Sequence, residues 1–282
     1  MEFCVMDMGL HGLTSNIGAL VGEDFYEVAD SCEEALEELS TKLDEDDVCT
    51  LHVRRQLAIG QIIQKDLVPI IKYVKTDPMI IADAIKVFAK VSMPLETLES
   101  PVIMGLRSTA QVHQEMQGLL AEAKKVLADE KLAESILEEM RTVLDEETTL
   151  STQGRDLIYW SLILLRNVLS IQVSDMVDPG RIIVMNLLDK GFAGLFTDLV
   201  NLPGNKELAI PLVQVLYQIY SGQHTTSLPE AVAGLSLEDN SCGAPRKLVN
   251  RDQEFREKLQ AFTMEFVAKG MGTLIQKLQR DI

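Results

Sequence analysis

Three short stretches of the sequence repeat one hydrophobic pattern. They cover residues 66–74, 191–199 and 270–278, and each opens with Asp or Gly followed by apolar residues at offsets 1, 4, 5 and 8. These offsets place the apolar side chains on one face of a helix. The copies start 125 and 79 residues apart, close to three and two times a unit of about 40 residues. The pattern predicts an all-α fold: a right-handed armadillo/HEAT-like α-solenoid of stacked helices, with residues 1–282 as one domain.

The segments between the copies also favour helices. We expect a first helix over residues 3–21, a third from position 52 to about 64, and the last two over 252–269 and from 271 to the end. No β-sheet is expected. Solenoids of this kind mostly present surfaces to partners, so the pattern indicates a binding scaffold.

One segment does not fit the helical period. Residues 222–250 are predicted to form a loop that interrupts the array, which is unusually long for a compact repeat protein. Three interpretations stay open: an insert that carries function, a disordered segment, or a longer loop that has been shortened. The helix-breaking residues on which this rests are Gly222, Pro229, Gly234, Gly243 and Pro245.

The third copy lies at the end of the sequence with no partner helix after it. Terminal repeats normally carry a polar outer face. Leu274, Ile275 and Leu278 are therefore expected to be exposed at the solenoid end, and the chain is expected to be the N-terminal fragment of a longer protein.

No residue constellation points to catalysis. The sequence has no nucleophile motif, phosphate-binding loop or zincin helix. Its four cysteines and four histidines are scattered without the clustered spacing of a metal site. We therefore expect no enzyme activity, no cofactor and no metal, with free thiols in a reducing nuclear or cytosolic compartment.

The negative charge is confined to two stretches. The net charge is −17, of which residues 23–47 contribute −11 and residues 129–147 contribute −6, so the remainder is neutral. A local basic cluster can therefore still face phosphates. Arg246, Lys247 and Arg251, in the predicted loop, are the candidate residues for contact with duplex DNA.

Four other polar residues are expected to be structural. Arg54 and Arg55 precede apolar positions of one helix, and Arg166 and Asn167 directly follow an apolar run. A rigid guanidinium suits bonding to carbonyls or acids of neighbouring helices. Packing is therefore the favoured role here, with direct phosphate contact as the alternative for the first pair.

Two segments resemble the N-terminal domain of the Timeless family, the fork-protection and clock-related family. They are RRQLAIGQIIQKDLVPII at 54–71 and LILLRNVLSI at 162–171. The opening LVGEDFY at 20–26, VLYQIY at 215–220 and FTMEFVAKG at 262–270 are similar to other family segments, and all occur in the family's order. Each motif is helical packing, so none can be carried over as a catalytic or binding site.

The resemblance implies a non-catalytic armadillo-like scaffold of the replication fork protection complex in the nucleus. It implies partnership with the small protein Tipin and association with the replicative helicase, other replisome proteins and the duplex ahead of the fork. Family members serve DNA replication, checkpoint signalling and sister-chromatid cohesion. In this family a long, often acidic, disordered loop interrupts the array, and the short segment 222–250 departs from that through natural divergence or deletion.

Two other functions stay open. A clock branch of the same family binds Period and cryptochrome proteins in circadian rhythm, and shared packing motifs do not separate it from the replication branch. A generic solenoid adaptor, whose acidic faces bind basic peptides, is the third.

Overall fold

Helices form most of the protein. The computed structural model describes residues 8–22, 24–98, 109–146, 150–173, 179–221 and 246–279, and only the backbone of residues 8, 109–111 and 246–252. About 80% of the described residues are helical, so the all-α prediction is confirmed.

The elements follow one another with short connections. The helices are α1 Met8–Ser15, α2 Cys32–Asp44, α3 His52–Gly60, α4 Val68–Tyr73, α5 Pro78–Val91, α6 Leu95–Leu98, α7 Thr109–Leu127, α8 Glu130–Glu146, α9 Thr152–Ser170, α10 Pro179–Asp189, α11 Phe192–Asn201, α12 Ala209–Ser221, α13 Arg246–Lys269 and α14 Met271–Gln279. A π-helical segment, Ile63–Leu67, precedes α4, and a 3-10 turn, Lys206–Leu208, precedes α12. The strands are β1 Gly18–Val21 and β2 Phe25–Val28.

A β-hairpin near the N-terminus corrects the prediction of a first helix over 3–21 and of no sheet. Strands β1 and β2 pair antiparallel, with Gly18 opposite Val28 and Val21 opposite Phe25. Aromatic and β-branched residues favour the extended conformation. Gly18 has φ +148°, and a Cβ there would lie 2.3 Å from the carbonyl oxygen of Glu27. The strand therefore begins where only glycine fits.

The predicted third helix is broken near its middle. Helix α3 ends at Gly60, and Gln61 adopts a left-handed conformation with φ 58°. The π-helical segment follows and runs directly into α4, where Pro69 occupies a first-turn position that needs no amide donor. The hydrophobic period continues across this break, which explains why the sequence alone suggests one helix.

Helix contacts follow three series along the chain. In the first series, α3 contacts α7, α7 contacts α10, and α10 contacts α13. In the second, α4 contacts α8, α8 contacts α11, and α11 contacts α14. In the third, α2, α5, α9 and α12 lie side by side in that order. Each helix of the later series thus packs on the equivalent helix before it.

The three hydrophobic copies lie in the second series, as α4, α11 and α14. The members of this series begin at Val68, Glu130, Phe192 and Met271, so the steps are 62, 62 and 79 residues. The expected unit of about 40 residues is therefore wrong. The gap of 125 residues between the first two copies holds a single intervening member, α8, whose sequence lacks the repeated pattern.

Candidate functional site

Arg54 forms an ion pair in the protein interior. Its Nη1 donates to Oδ2 of Asp46 at 3.0 Å and to the Leu43 carbonyl at 3.1 Å, and the two charged side chains are 4% and 1% exposed. Asp46 also accepts from the backbone amides of Val53 and Arg54, which satisfies the first turn of α3. Burial lowers the pKa of the Arg54 guanidinium, and Asp46 opposes that shift. The pair joins the end of α2 to the start of α3.

Arg55 points to a different neighbour. Its Nε donates to Oε2 of Glu115 at 2.6 Å, which connects α3 to α7. The two side chains are 21% and 38% exposed, so solvent screens this pair more than the Arg54 pair.

A buried lysine that sequence reasoning missed extends this polar region to α5. Nζ of Lys90 lies 2.5 Å from Oδ2 of Asp44 and 2.8 Å from Oγ of Ser40, both in α2. It also lies 5.4 Å from the ring centroid of Trp160 in α9. The available signal was a lysine between apolar residues of a strongly apolar helix, with acids in excess elsewhere.

Arg166 and Asn167 connect three helices of the third series. Asn167 is fully buried, and its side-chain amide donates to the carbonyl of Ala89 in α5 at 2.8 Å. The Arg166 guanidinium donates through Nε and Nη2 to Oδ1 of Asn167, and through Nη1 to Oε1 of Gln214 in α12 at 3.1 Å. Both residues therefore tie α9 to its neighbours.

Exposed apolar side chains lie beside Arg166. Gln214 shares a face of α12 with Ile210 and Tyr217, which are four residues before and three after it and are 58% and 66% exposed. Tyr159 lies two turns before Arg166 on α9 and is half-buried. We call these five residues, Tyr159, Arg166, Ile210, Gln214 and Tyr217, the α9–α12 surface.

The acidic stretch at the N-terminal side forms an outer face of α2 and α5. Burial raises the pKa of Asp83 in α5, and the nearby carboxylates of Glu33, Glu37 and Asp77 raise it further, while Lys86 opposes the shift. The third series therefore runs from an acidic end at α2 to the α9–α12 surface.

The predicted DNA-contacting residues occupy a helix. Arg246, Lys247 and Arg251 lie in the first two turns of α13, which begins six residues before the predicted position 252. The loop prediction for 222–250 is therefore wrong for residues 246–250, and its remaining part lies outside the described residues. The side chains of the three bases are not described, so the structure does not show whether they converge.

The predicted solenoid end is exposed only in part. Leu274 is 3% exposed and packs in the core, which corrects the expectation that it faces solvent. Ile275 is 42% exposed, and Leu278 is half-buried. Helix α14 contacts α11, α12 and α13, and these helices cover the Leu274 side of α14.

The described residues were also searched for metal sites and membrane spans. In this part of the chain, no three His, Cys, Asp or Glu side chains are grouped so that they could hold a metal ion. Within the same residues, no helix is both long and apolar enough to cross a membrane.

Comparison with known proteins gives the family. The family model described as Timeless protein matches residues 25–261, which is more than half of the chain. The chain is also 27% identical over 262 residues to the Drosophila melanogaster protein named "Protein timeless". That alignment covers 85% of this chain and 18% of the Drosophila protein, so the chain spans less than a fifth of that relative. The family match includes both helices that carry the Arg54 and Arg166 networks, and the protein belongs to the Timeless family.

Proposed function

We propose that this protein is a non-catalytic scaffold of the replication fork protection complex. The observation that carries the proposal is the Timeless family match over residues 25–261. On this proposal the protein works in the nucleus, binds a Tipin-like small partner and the replicative helicase with other replisome proteins, and supports checkpoint signalling and cohesion. Its function is to hold partners in position, so no reacting group is required of it.

The proposed architecture is an armadillo-like α-solenoid. Its support is that three series of helices advance together: α3, α4 and α5 are followed by α7, α8 and α9, then by α10, α11 and α12, each contacting its predecessor. Neighbour-only packing of three-helix units is the arrangement of an armadillo array. Such an array offers one long surface per series, which suits simultaneous binding of several proteins.

Co-purification tests the function. The full-length protein is tagged in cells, and its partners are identified by mass spectrometry. Tipin and helicase subunits are expected. Recovery of Period or cryptochrome proteins without them would contradict the replication role. A second tagged protein that carries Asn167→Ala, in which a buried helix–helix bond is lost, controls for association that does not need the folded array.

The second candidate is a circadian-clock partner of the same family. The resemblance in residues 54–71 and 162–171 supports both branches, because these segments are packing elements that the branches share. The match to the Drosophila protein shows the family and does not choose between the two roles. The same co-purification therefore separates them.

The proposal includes weak contact with duplex DNA through Arg246, Lys247 and Arg251. Their position in the first two turns of α13 supports it, because phosphates are favoured at helix N-termini. With about three phosphates neutralised, the slope of log K against log salt is expected near −3. Replacing all three by Gln should weaken binding equally for all sequences, since phosphate contacts carry no base information.

A matched charge change controls for the protein's net charge. Lys42, Lys75 and Lys125 have side chains 40%, 49% and 47% exposed and lie on other helices or turns. Their triple replacement by Gln removes the same charge and should leave duplex affinity close to wild type. Equal loss in the two triple variants would show that the contact is non-local, and no binding at low salt would exclude it.

A further inference from the structure

The α9–α12 surface combines an arginine that lacks a carboxylate with exposed apolar side chains. Within the described residues, Arg54, Lys72, Lys90, Lys190 and Lys258 each pair with an acid. Arg166 bonds only to the amide oxygens of Asn167 and Gln214. It is thus a half-buried cation, in a protein of net charge −17, that no described carboxylate neutralises.

Donors remain on this guanidinium. An arginine carries five N–H groups. Three are used in the bonds of Nε and Nη2 to Asn167 and of Nη1 to Gln214, which leaves one N–H on each terminal nitrogen without an acceptor in the described part of the chain. Burial lowers the pKa of Arg166, but a guanidinium stays charged at neutral pH. A half-buried charge of this kind gains most from an added carboxylate, since the desolvation has already occurred.

The surroundings indicate a peptide and argue against a polyanion. Helix α12 has no charged residue, and it exposes Ile210 and Tyr217 on the face that also carries Gln214. Nucleic acid binding rests on several bases along a track, whereas this surface offers a single guanidinium beside apolar area. A peptide that carries one carboxylate next to an aliphatic or aromatic side chain matches both features, because aromatic and arginine side chains are typical anchors of protein interfaces.

We propose that the α9–α12 surface is a docking site for an extended acidic peptide segment of a partner protein. The Arg166 guanidinium receives an Asp or Glu carboxylate, and Ile210 and Tyr217 contact the apolar residue next to it. Tyr159 closes the other side of the carboxylate position. The inference rests on the proposed scaffold function, to which it adds the chemistry of one partner segment.

A peptide array tests the site. Short immobilised peptides carry a central Asp flanked by Leu, Phe, Val or Ser in all combinations, and a matched set carries Asn in place of Asp. The whole 282-residue chain is applied, and hits are measured again by fluorescence polarisation with labelled peptide. Peptides with Asp beside an apolar residue should bind at least about tenfold more tightly than their Asn counterparts, because a charge-assisted bond is lost in the latter.

Variants locate the binding. Arg166→Gln should abolish the preference for Asp over Asn, while Tyr217→Ala and Ile210→Ser should weaken all apolar-flanked peptides and keep that preference. Arg256→Gln and Met264→Ser, at exposed positions of α13, are the matched controls and should bind as wild type. If circular dichroism shows that Arg166→Gln is unfolded, the two variants at the exposed α12 positions decide the test.

Three results would overturn the proposal. These are an array without preference for Asp, an Arg166→Gln variant that folds and retains the preference, and single-stranded oligonucleotides that bind through Arg166 while no peptide discriminates. Loss of the site with normal recovery of Tipin and helicase subunits would refute this surface alone. Failure of the co-purification with a positive array would refute the replication role and keep the site.

Discussion

Tyr26 in β2 donates a 2.8 Å hydrogen bond from its hydroxyl to Oδ1 of Asp66 in the π-helical segment. This bond joins the hairpin to a position forty residues further along the chain. Burial raises the pKa of Asp66 to about 6, although the bond from Tyr26 and the charge of Lys65 oppose the shift. Burial and the Asp66 charge also raise the pKa of Tyr26, so its hydroxyl stays protonated.

Stability is predicted to fall as pH rises through the titration of Asp66. The folded-state pKa of about 6 lies above the value near 3.9 of an unfolded chain, so the folded state binds the proton more tightly. The stabilising contribution is complete below about pH 4 and is lost as pH rises to about 6. Asp66→Asn should remove this dependence and gain roughly 1–2 kcal/mol relative to wild type at pH 7, after allowance for partial exposure.

Urea denaturation of both proteins between pH 4 and pH 7.5 measures the difference. The informative quantity is the change in unfolding free energy between variant and wild type at each pH, because other carboxylates cancel in it. Asp24→Asn, at an exposed position next to the hairpin, is the control. A difference that stays constant across this range would show that Asp66 titrates at an ordinary pKa.

The buried pair of Arg54 and Asp46 should be strongly coupled. Arg54→Ala or Asp46→Ala alone is expected to cost about 3–5 kcal/mol, because each leaves an unpaired charge in the interior. The double variant should cost less than the sum of the two. Chemical denaturation of the four proteins gives the coupling energy, and additive losses would contradict a direct buried interaction.

Arg55 provides the contrast on the same helix. Its pair with Glu115 is partly exposed, so Arg55→Ala should cost no more than about 1 kcal/mol. High salt should reduce this small effect further, since solvent ions screen it. A loss as large as that of Arg54→Ala would mean that Arg55 supports the fold in some way beyond this ion pair.

Asn167→Ala should destabilise the protein more than Arg166→Ala. Asn167 is fully buried, and its loss leaves the Ala89 carbonyl without this donor, which is expected to cost about 1–3 kcal/mol. Arg166 is half-buried, and its removal also relieves an unneutralised charge. Thermal unfolding of both variants ranks them, and the reverse order would place the structural role on the arginine.

Leu274 and Ile275 are adjacent residues with opposite surroundings. Leu274→Ala is expected to cost about 2–5 kcal/mol, as for other buried leucines, and Ile275→Ala less than about 1 kcal/mol, because Ile275 is 42% exposed. Denaturation midpoints of the two variants give the comparison. Equal losses would show that the outer face of α14 is covered in solution.

Helical periodicity was sufficient to predict the fold class, and it failed where local backbone geometry decides. The repeated offsets identified α4, α11 and α14 because the same face packs on a neighbour each time. The pattern could not show that α8 occupies the same series, since its buried face uses other spacings and residues. It also could not reveal the break at Gln61, where apolar period continues while the backbone turns left-handed.

The networks were predictable only by residue type. An arginine next to an apolar run indicates a buried guanidinium, as for Arg54, but its partner Asp46 stands in an acidic stretch that reads as solvated surface. Which acid is buried depends on how α2 and α3 meet. The exposed Ile210 and Tyr217 were not identified either, because an apolar helix face looks the same in the sequence whether or not another helix covers it.

The unequal step in the second series has a consequence for evolution. The third step exceeds the first two by 17 residues, since 79 follows 62 and 62, and the chain between α12 and α13 lies within it. Helices on both sides of this junction already contact one another through α10 with α13 and α11 with α14. Closing a longer connection costs only about 0.6 kcal/mol for each doubling of its length. Relatives are therefore free to gain whole regulatory regions here, and sequence length at this junction can diverge between lineages while the surrounding helices keep their packing.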